Sequence, residues 1–417
     1  MKKLIKLSLV AAISLSSTLY AEESKEQSVT NSFKHMFKDG TMSGNIRSIY
    51  SAYNNDNDKN TYASAIGGKL KYELATYNGF NGGVALTTSH DIGFLSGDKH
   101  QAKRNDELSS SKGSYTELTE AYINYQFENL NLCIGRQLID TPLADSDDIR
   151  MIPNTFEAYI ASYKINNFSL MVAHLKEWQG TDAGLDVDNH WIKTGKNGVN
   201  LIGLTYGNDF IETNTWYYNI SNASKSDIKN EADENGNNAI YLDVTGTYNL
   251  NDNIELHAGL QYLKESELDK SNVEANIYGA MAEMVVNDFT INIAYNKSIE
   301  KSKKHSFSGY GGGTLFTNMD TMILDEITED RDARAIVTNL SYSINDFSLS
   351  YAYGDFNGNA NSSNEKAHIV EQNIGIEFTP NDDLVISAIY VNDNNKEDSK
   401  SKDFNNDNFR VLVSYNF

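Results

Sequence analysis

The sequence predicts an all-β chain: an 18-stranded antiparallel transmembrane β-barrel whose third outer loop folds inward. Three observations predict it. The last nine residues, Phe409-Arg-Val-Leu-Val-Ser-Tyr-Asn-Phe417, set an apolar side chain at every second position up to an aromatic end. That is the period of a strand with one apolar and one wet face. Along the rest of the chain, very short turns alternate with long polar loops. After the N-terminal segment, no stretch approaches the roughly 20 apolar residues of a membrane helix, whereas membrane strands leave only a weak hydropathy signal.

The elements follow in chain order. Lys2, Lys3 and Lys6 precede the apolar run Leu7 to Leu15 and a short polar stretch to Ala21, the order of a secretory signal peptide over 1–21. Residues 22–41 form a short periplasmic segment in which Phe33, Met36 and Phe37 have the spacing of one helical turn. Residues 42–417 are assigned to a single barrel domain, because no composition break marks a linker. Removing residues 1–21 takes three positive charges and no negative ones, shifting the net charge from −22 to −25. Such an excess excludes nucleic acid as a partner, which needs a basic surface. The one cysteine, Cys133, excludes an intramolecular disulfide framework.

Eight tight connections contain Asn, Asp, Gly or Glu: 77–79, 128–129, 166–167, 207–209, 251–253, 287–288, 345–346 and 380–382. Most of these residue types tolerate the positive φ of hairpin tips. Nine longer loops fall near 54–61, 91–113, 139–154, 178–197, 221–238, 264–273, 298–332, 356–365 and 394–406. Eight turns and nine loops imply 18 strands with both ends on the short-turn side. Short periplasmic turns and long outer loops are the asymmetry of bacterial outer-membrane barrels. Phe289, Ile291, Ile293 and Tyr295 alternate with Thr290, Asn292, Ala294 and Asn296, and Phe347, Leu349, Tyr351 and Tyr353 alternate similarly. The polar partner face suits a wet lumen. Tyrosines at strand ends, among them Tyr125, Tyr163, Tyr248, Tyr262 and Tyr390, fit aromatic girdles. Pro142, Pro153 and Pro380 fall in loops or turns, where a missing N–H does no harm.

The third outer loop has the most distinctive text, Gly135 to Glu157, with Ser146, Asp147, Asp148, Arg150, Pro153 and Phe156 spaced as a Ser-Asp-x-Arg-x-x-Pro-x-x-Phe pattern with one extra residue. It resembles the corresponding loop of OprD-type porins. The final strand likewise resembles the C-terminal strands of outer-membrane barrels, which end on Phe. The resemblance implies an 18-stranded channel, narrowed by this loop, for passive diffusion of small hydrophilic solutes or ions. The physics points the same way, since a barrel this wide has an aqueous channel that its own walls cannot fill. The apolar cluster Leu138, Ile139, Leu143, Ile149, Met151, Ile152 and Phe156 is expected to pack on the inner wall. It would hold Asp145, Asp147, Asp148 and Arg150 across the pore; Arg136 is counted with these constriction residues, although it shares the parity of Leu132 and Ile134 and so either sits at the rim or follows a bulge. The seventh loop, 298–332, is expected either to pack into the mouth as a second constriction, with Asp325, Glu326, Glu329 and Asp330 facing water, or to lie over it as a surface lid.

On the wall, parity places Arg47, Lys69, Lys71, Glu120 and Arg410 toward the lumen, because a basic residue facing lipid at mid-membrane costs roughly 2–4 kcal/mol. The family is associated with a row of wall arginines that attracts carboxylates. This chain has seven arginines in all, with inner acids such as Glu73, Asp243, Glu255, Glu371 and Glu377 among them. Tyr415 and Phe417 are expected to serve as an assembly signal for the barrel assembly machinery. No metal site is expected: the histidines lack zinc spacing, and Asp56-x-Asp58-x-Asn60 has Thr61 and Gly67 where a calcium loop needs Gly and Glu. No catalytic motif and no cofactor site are read. Partners are solutes, outer-membrane lipid or lipopolysaccharide and the assembly machinery, in a monomer or a homotrimer. The rival readings are an outer-membrane barrel enzyme of the lipase or protease kind and a surface adhesin barrel.

Overall fold

A computed structural model describes residues 30, 32–55, 59–101, 103–105, 107–108, 113–183, 191–221, 236–268, 271–299, 303–397 and 405–417. The expected signal peptide, residues 22–29 and 31 of the N-terminal segment, and Asp56 and Asp58 lie outside the described residues.

Eighteen strands form the wall: β1 Thr41–Asn55, β2 Thr61–Glu73, β3 Phe80–Asp91, β4 Tyr115–Phe127, β5 Leu130–Gln137, β6 Thr155–Ile165, β7 Phe168–Gln179, β8 Val199–Gly207 and β9 Ile211–Ile220. There follow β10 Asn237–Asn251, β11 Ile254–Glu267, β12 Ala275–Val286, β13 Phe289–Ile299, β14 Ala333–Ile344, β15 Phe347–Gly358, β16 Ala367–Phe378, β17 Leu384–Asn395 and β18 Asn405–Asn416. Each strand pairs antiparallel with the next, and β18 returns to β1 in the register Asn45↔Asn416 through Asn55↔Asn406. Gly44 and Phe417 exchange both backbone hydrogen bonds, at 3.0 and 3.1 Å. The sheet is therefore closed, which matters because lipid cannot satisfy the N–H and C=O groups of an open edge.

The turn chemistry is as the residue types predict. Asn78, Asn166, Asn287 and Asn345 have φ between 50° and 52°, and Glu128 adopts the same conformation at 50°. Side-chain parity also holds: Ile46, Leu70, Val84, Ile123, Ile134, Ile202, Leu260, Ile293, Ile374 and Phe409 face outward, while Ser51, Ser89, Gln261, Asn292, Asn296 and Asn408 are buried inside. The helix α1, Phe33–Lys38, docks at the short-turn end. Its Met36 carbonyl accepts a hydrogen bond from the Ala75 N–H at 3.0 Å, and the Phe33 ring meets Tyr77.

The apolar core lies inside the barrel, on the side of the long loops. Ile139 and Leu143 from the third loop join Tyr310, Leu315, Met319, Met322 and Leu324 from the seventh, packing on wall residues such as Trp178, Trp216, Tyr218 and Phe356. Burying these loop side chains removes apolar surface from water, at roughly 25 cal/mol per Å². That gain favours the inward position of both loops.

Candidate channel constriction

The wall supplies a stair of cations. β18, β1 and β2 are neighbours, and their inward positions carry Arg410 opposite Ser51, then Arg47, then Lys69 opposite Asn45, then Lys71 opposite Ser43. From Ser51 to Ser43 the stair covers about 27 Å of strand at ~3.4 Å per residue. Lys69 and Lys71 share Glu120, at 3.6 and 3.1 Å, and Lys71 also reaches Glu73 at 3.6 Å. Glu120 faces inward together with Thr119 because the β3–β4 register slips there by one residue. Tyr122 completes the group by donating its hydroxyl to Glu73 at 2.6 Å.

The third loop crosses toward this stair. A two-residue hairpin, Asp140–Thr141 against Ala144–Asp145, starts it. Ser146 then ties it back, accepting from the Ile139 N–H at 2.9 Å and donating to the Ile139 carbonyl at 3.0 Å. The chain turns at Asp147, whose φ is 33°, and delivers Asp148 and Arg150 to the far wall. Arg47 donates to both oxygens of Asp148, at 2.6 and 3.0 Å, and to the Arg150 carbonyl at 2.5 Å. Such a two-pronged guanidinium–carboxylate pair fixes geometry as well as charge. Arg150 itself pairs with Glu107 of the second loop, and Arg410 pairs with Asp320 of the seventh.

The seventh loop closes the other side. Leu143 and Asp145 exchange backbone bonds with Tyr310, at 3.0 and 2.9 Å, in a short parallel bridge between the two loops. Gly309 and Gly311 flank Tyr310 at φ 97° and 90°. A Cβ on Gly311 would sit 2.2 Å from the Asp145 carbonyl oxygen, so the glycine-rich text serves this close approach. Wall side chains staple the loop down. Gln261 donates to Thr314 O at 2.7 Å and accepts from Phe316 N at 3.1 Å. Asn296 Oδ1 accepts from both Thr317 N and Oγ1 at 3.1 Å, and Glu265 accepts from Ser306 Oγ and Phe307 N at 2.9 Å.

The electrostatics of the loops divide in two. Burial tends to raise the Asp320 carboxyl, but Arg410 and Arg150 outweigh it and hold the group below the usual carboxylate range. Burial would lower Arg150, yet Glu107 and Asp320 more than offset that, keeping it charged. On the opposite flank, burial pushes Asp147 up to about 7, with Asp182 and Asp145 adding to the shift.

Among the residues singled out from sequence, Asp148, Arg150, Arg47 and Arg410 converge in one charged cluster, and Lys69, Lys71 and Glu120 continue it along the wall. Asp145 and Asp147 sit on the other flank of the loop, beside Asp140 and Asp182. Arg136 is a correction. It keeps the outward parity of Ile134 through unbroken register, lies 4.3 Å over the Trp191 ring and pairs with Glu157 at 3.9 Å. It therefore belongs to the outer rim. Asp325 is a second correction: it is half-buried, with its Oδ1 shut off from solvent, while Glu326 and Glu329 are exposed. Glu107 and Asp320 escaped the sequence reading. Glu107 lies in a polar loop with no pattern, but Asp320, the one charged residue between His305 and Asp325 and flanked by Met319 and Met322, was a usable signal.

A closed 18-stranded barrel with a charged interior narrowed by two inward loops defines a diffusion channel of the porin class. The chain belongs to the OprD family: the family model described as outer membrane porin, OprD family, matches residues 34–417. No curated protein sequence matches it. Among solved structures it is similar to OccAB4 of Acinetobacter baumannii, with 14% identity, 91% of this chain and 98% of that one covered, and a TM-score of 0.75. It is also similar to OpdK of Pseudomonas aeruginosa, solved with vanillate, with 14% identity, coverages of 92% and 99%, and a TM-score of 0.74. OpdQ of the same organism gives 15% identity, coverages of 92% and 99%, and a TM-score of 0.71. The protein is an outer-membrane porin that forms a channel for small solutes.

Proposed function

We propose that selectivity in this porin is set where Asp148 and Arg150 of the third loop, Glu107 of the second and Asp320 of the seventh meet Arg47 and Arg410 of the wall. The observation that carries this reading is the paired contact between Arg47 and Asp148, which ties the loop tip to the basic stair. Three guanidiniums face three carboxylates there, so the constriction is close to charge-balanced. A solute passing it must exchange its own charges with groups that are already paired. A simple carboxylate-attracting arginine row is thereby disfavoured, and small zwitterionic or weakly charged solutes are favoured, with a mild cation preference from the acidic loops.

The reading extends to the rest of the chain. Residues 1–21 serve export through the general secretory pathway and are removed, residues 22–41 remain at the periplasmic end, and residues 42–417 form the barrel. Tyr415 and Phe417 present the outward face of the last strand to the barrel assembly machinery, and the outer band contacts lipid and lipopolysaccharide. Family membership favours a channel over a barrel enzyme or an adhesin. Monomeric and homotrimeric arrangements are both compatible with a closed wall.

The test is the reversal potential in a salt gradient across planar bilayers, for the parent protein and for Asp148→Ala and Arg150→Ala. Opposite shifts are expected, toward anions for the first and toward cations for the second. If neither substitution altered selectivity or conductance, the selectivity filter would lie elsewhere.

A further inference from the structure

The inner face of β16, β17 and β18 carries a group of oxygens that the constriction does not use. Register sets Glu371 beside Asp393 and Asp393 beside Asn406; one pair along, Asn373 and Asn408 flank Val391. Directly opposed residues share one face of a sheet. On this face Glu371, Asn373, Asp393 and Asn408 are all 2% exposed or less. The seventh loop covers them, with the N–H groups of Asp320, Thr321 and Met322 donating to the Glu371 carboxylate at 3.1, 3.3 and 2.6 Å.

Glu371 is well satisfied, since Asn373 Nδ2 adds a fourth donor at 2.7 Å. Asp393 is not. Neither of its carboxylate oxygens has a hydrogen-bond partner among the described residues, and the same holds for the side-chain oxygens of Asn373, Asn406 and Asn408. The Thr321 hydroxyl approaches Asp393 without reaching hydrogen-bond geometry. Its charged neighbours are acids, Asp320, Asp407 and Glu371, and Arg410 is committed to Asp320 and Glu107. A buried carboxylate without a donor is strongly disfavoured unless a counter-charge joins it. No trio of His, Cys, Asp or Glu side chains among the described residues has metal-ligand spacing, so any ion here must lean on amide oxygens. One carboxylate surrounded by neutral oxygens is a hard-cation donor set with low ligand charge, of the kind that binds calcium weakly.

We propose that Asp393, with the amide oxygens of Asn373, Asn406 and Asn408, binds a calcium ion that straps the Met319–Met322 segment of the seventh loop to the wall. Thr321 supplies the loop-side oxygen. The ion adds the positive charge that the acid group lacks and holds one wall of the constriction still. With a single carboxylate ligand, half-saturation falls at about 10⁻⁴–10⁻³ M, as in extracellular calcium modules.

The experiment is hydrogen exchange of the Asp320, Thr321 and Met322 amides in the full-length protein in detergent, titrated with calcium chloride at constant ionic strength. Calcium should slow exchange at these amides about tenfold, with the half-effect in the millimolar range or just below. Asp393→Asn should abolish the calcium response, and Asn408→Ala should weaken it. Exchange that is independent of calcium in the parent protein overturns the proposal, and that arm needs no variant to fold. A calcium response that survives in folded Asp393→Asn also overturns it. So does protection that follows pH, after correction for intrinsic rates, while ignoring calcium, because the site would then hold a proton.

Discussion

Replacing Arg150 with alanine is the most direct probe of the constriction. The side chain is largely buried, paired with Glu107, and close enough to Asp320 and Asp147 to be held in its charged form by them. Arg150→Ala therefore removes one full positive charge and leaves Glu107 with Arg410, at 3.6 Å, as its remaining cation. An ion passing about 6 Å from the lost charge through water feels a change of about 0.7 kcal/mol, which salt at ~0.1 M screens to about half. The sign is opposite for cations and anions, so the cation-to-anion permeability ratio should rise roughly fourfold. Reversal potentials in planar bilayers measure that ratio directly, and the effect should grow as ionic strength is lowered. Arg136→Ala is the matched control: it also removes an arginine, but at the outer rim, and should leave the ratio unchanged. A shift toward anions in Arg150→Ala, or equal shifts in both variants, would refute the placement of Arg150 in the permeation path.

The remaining predictions concern pH, packing and assembly. Asp147, raised by burial to about 7, is neutral below that pH and charged above it, so cation preference should rise between pH 6 and 8. Asp147→Asn should flatten that dependence in the same reversal-potential measurement. Because this folded-state value lies above the usual carboxylate value of 3.8, its stabilising contribution is complete below about pH 4 and is lost as pH rises through about 7. Hydrogen exchange should accordingly find the third loop less protected at pH 8 than at pH 6. Leu143→Ala, at a side chain 1% exposed between the two inward loops, should cost about 2–5 kcal/mol of loop packing. Single-channel recording should show larger and noisier conductance, and steps identical to the parent would argue against packing as the restraint. Deleting Phe417 removes both backbone bonds to Gly44 and should lower the yield of folded barrel, read as heat-modifiable migration on gels.

Strand number, turn positions and the inward or outward sense of most wall residues were legible in the sequence, because a strand's side-chain period of two is a local property. Arg410 and Arg47 could be placed in the lumen for the same reason. Parity left Arg136 between the rim and a bulge, because its phase matches Ile134; the unbroken β4–β5 register and Trp191, from a distant loop, decide for the rim. Asp325 was misplaced because loops have no such period, so burial there depends on what the loop meets. Glu107 illustrates the limit, since nothing in its neighbours Asp106 and Leu108 distinguishes it from other loop acids.

The sequence by itself determined that the chain closes as an 18-stranded wall with an apolar outside, a wet inside and a third loop too apolar to stay in solvent. Those features rest on alternation, turn residues and local composition. That the seventh loop joins it inside was decided by the fold. Tertiary structure alone decided which charges meet. Arg47 and Asp148 are 101 residues apart, and Arg410 and Asp320 are 90 apart. Closing β18 onto β1 sets these arginines on adjacent strands, and packing in the barrel mouth carries Asp148 and Asp320 to them. Side-chain period is short-range, whereas charge pairing inside a barrel depends on where long loops finally pack.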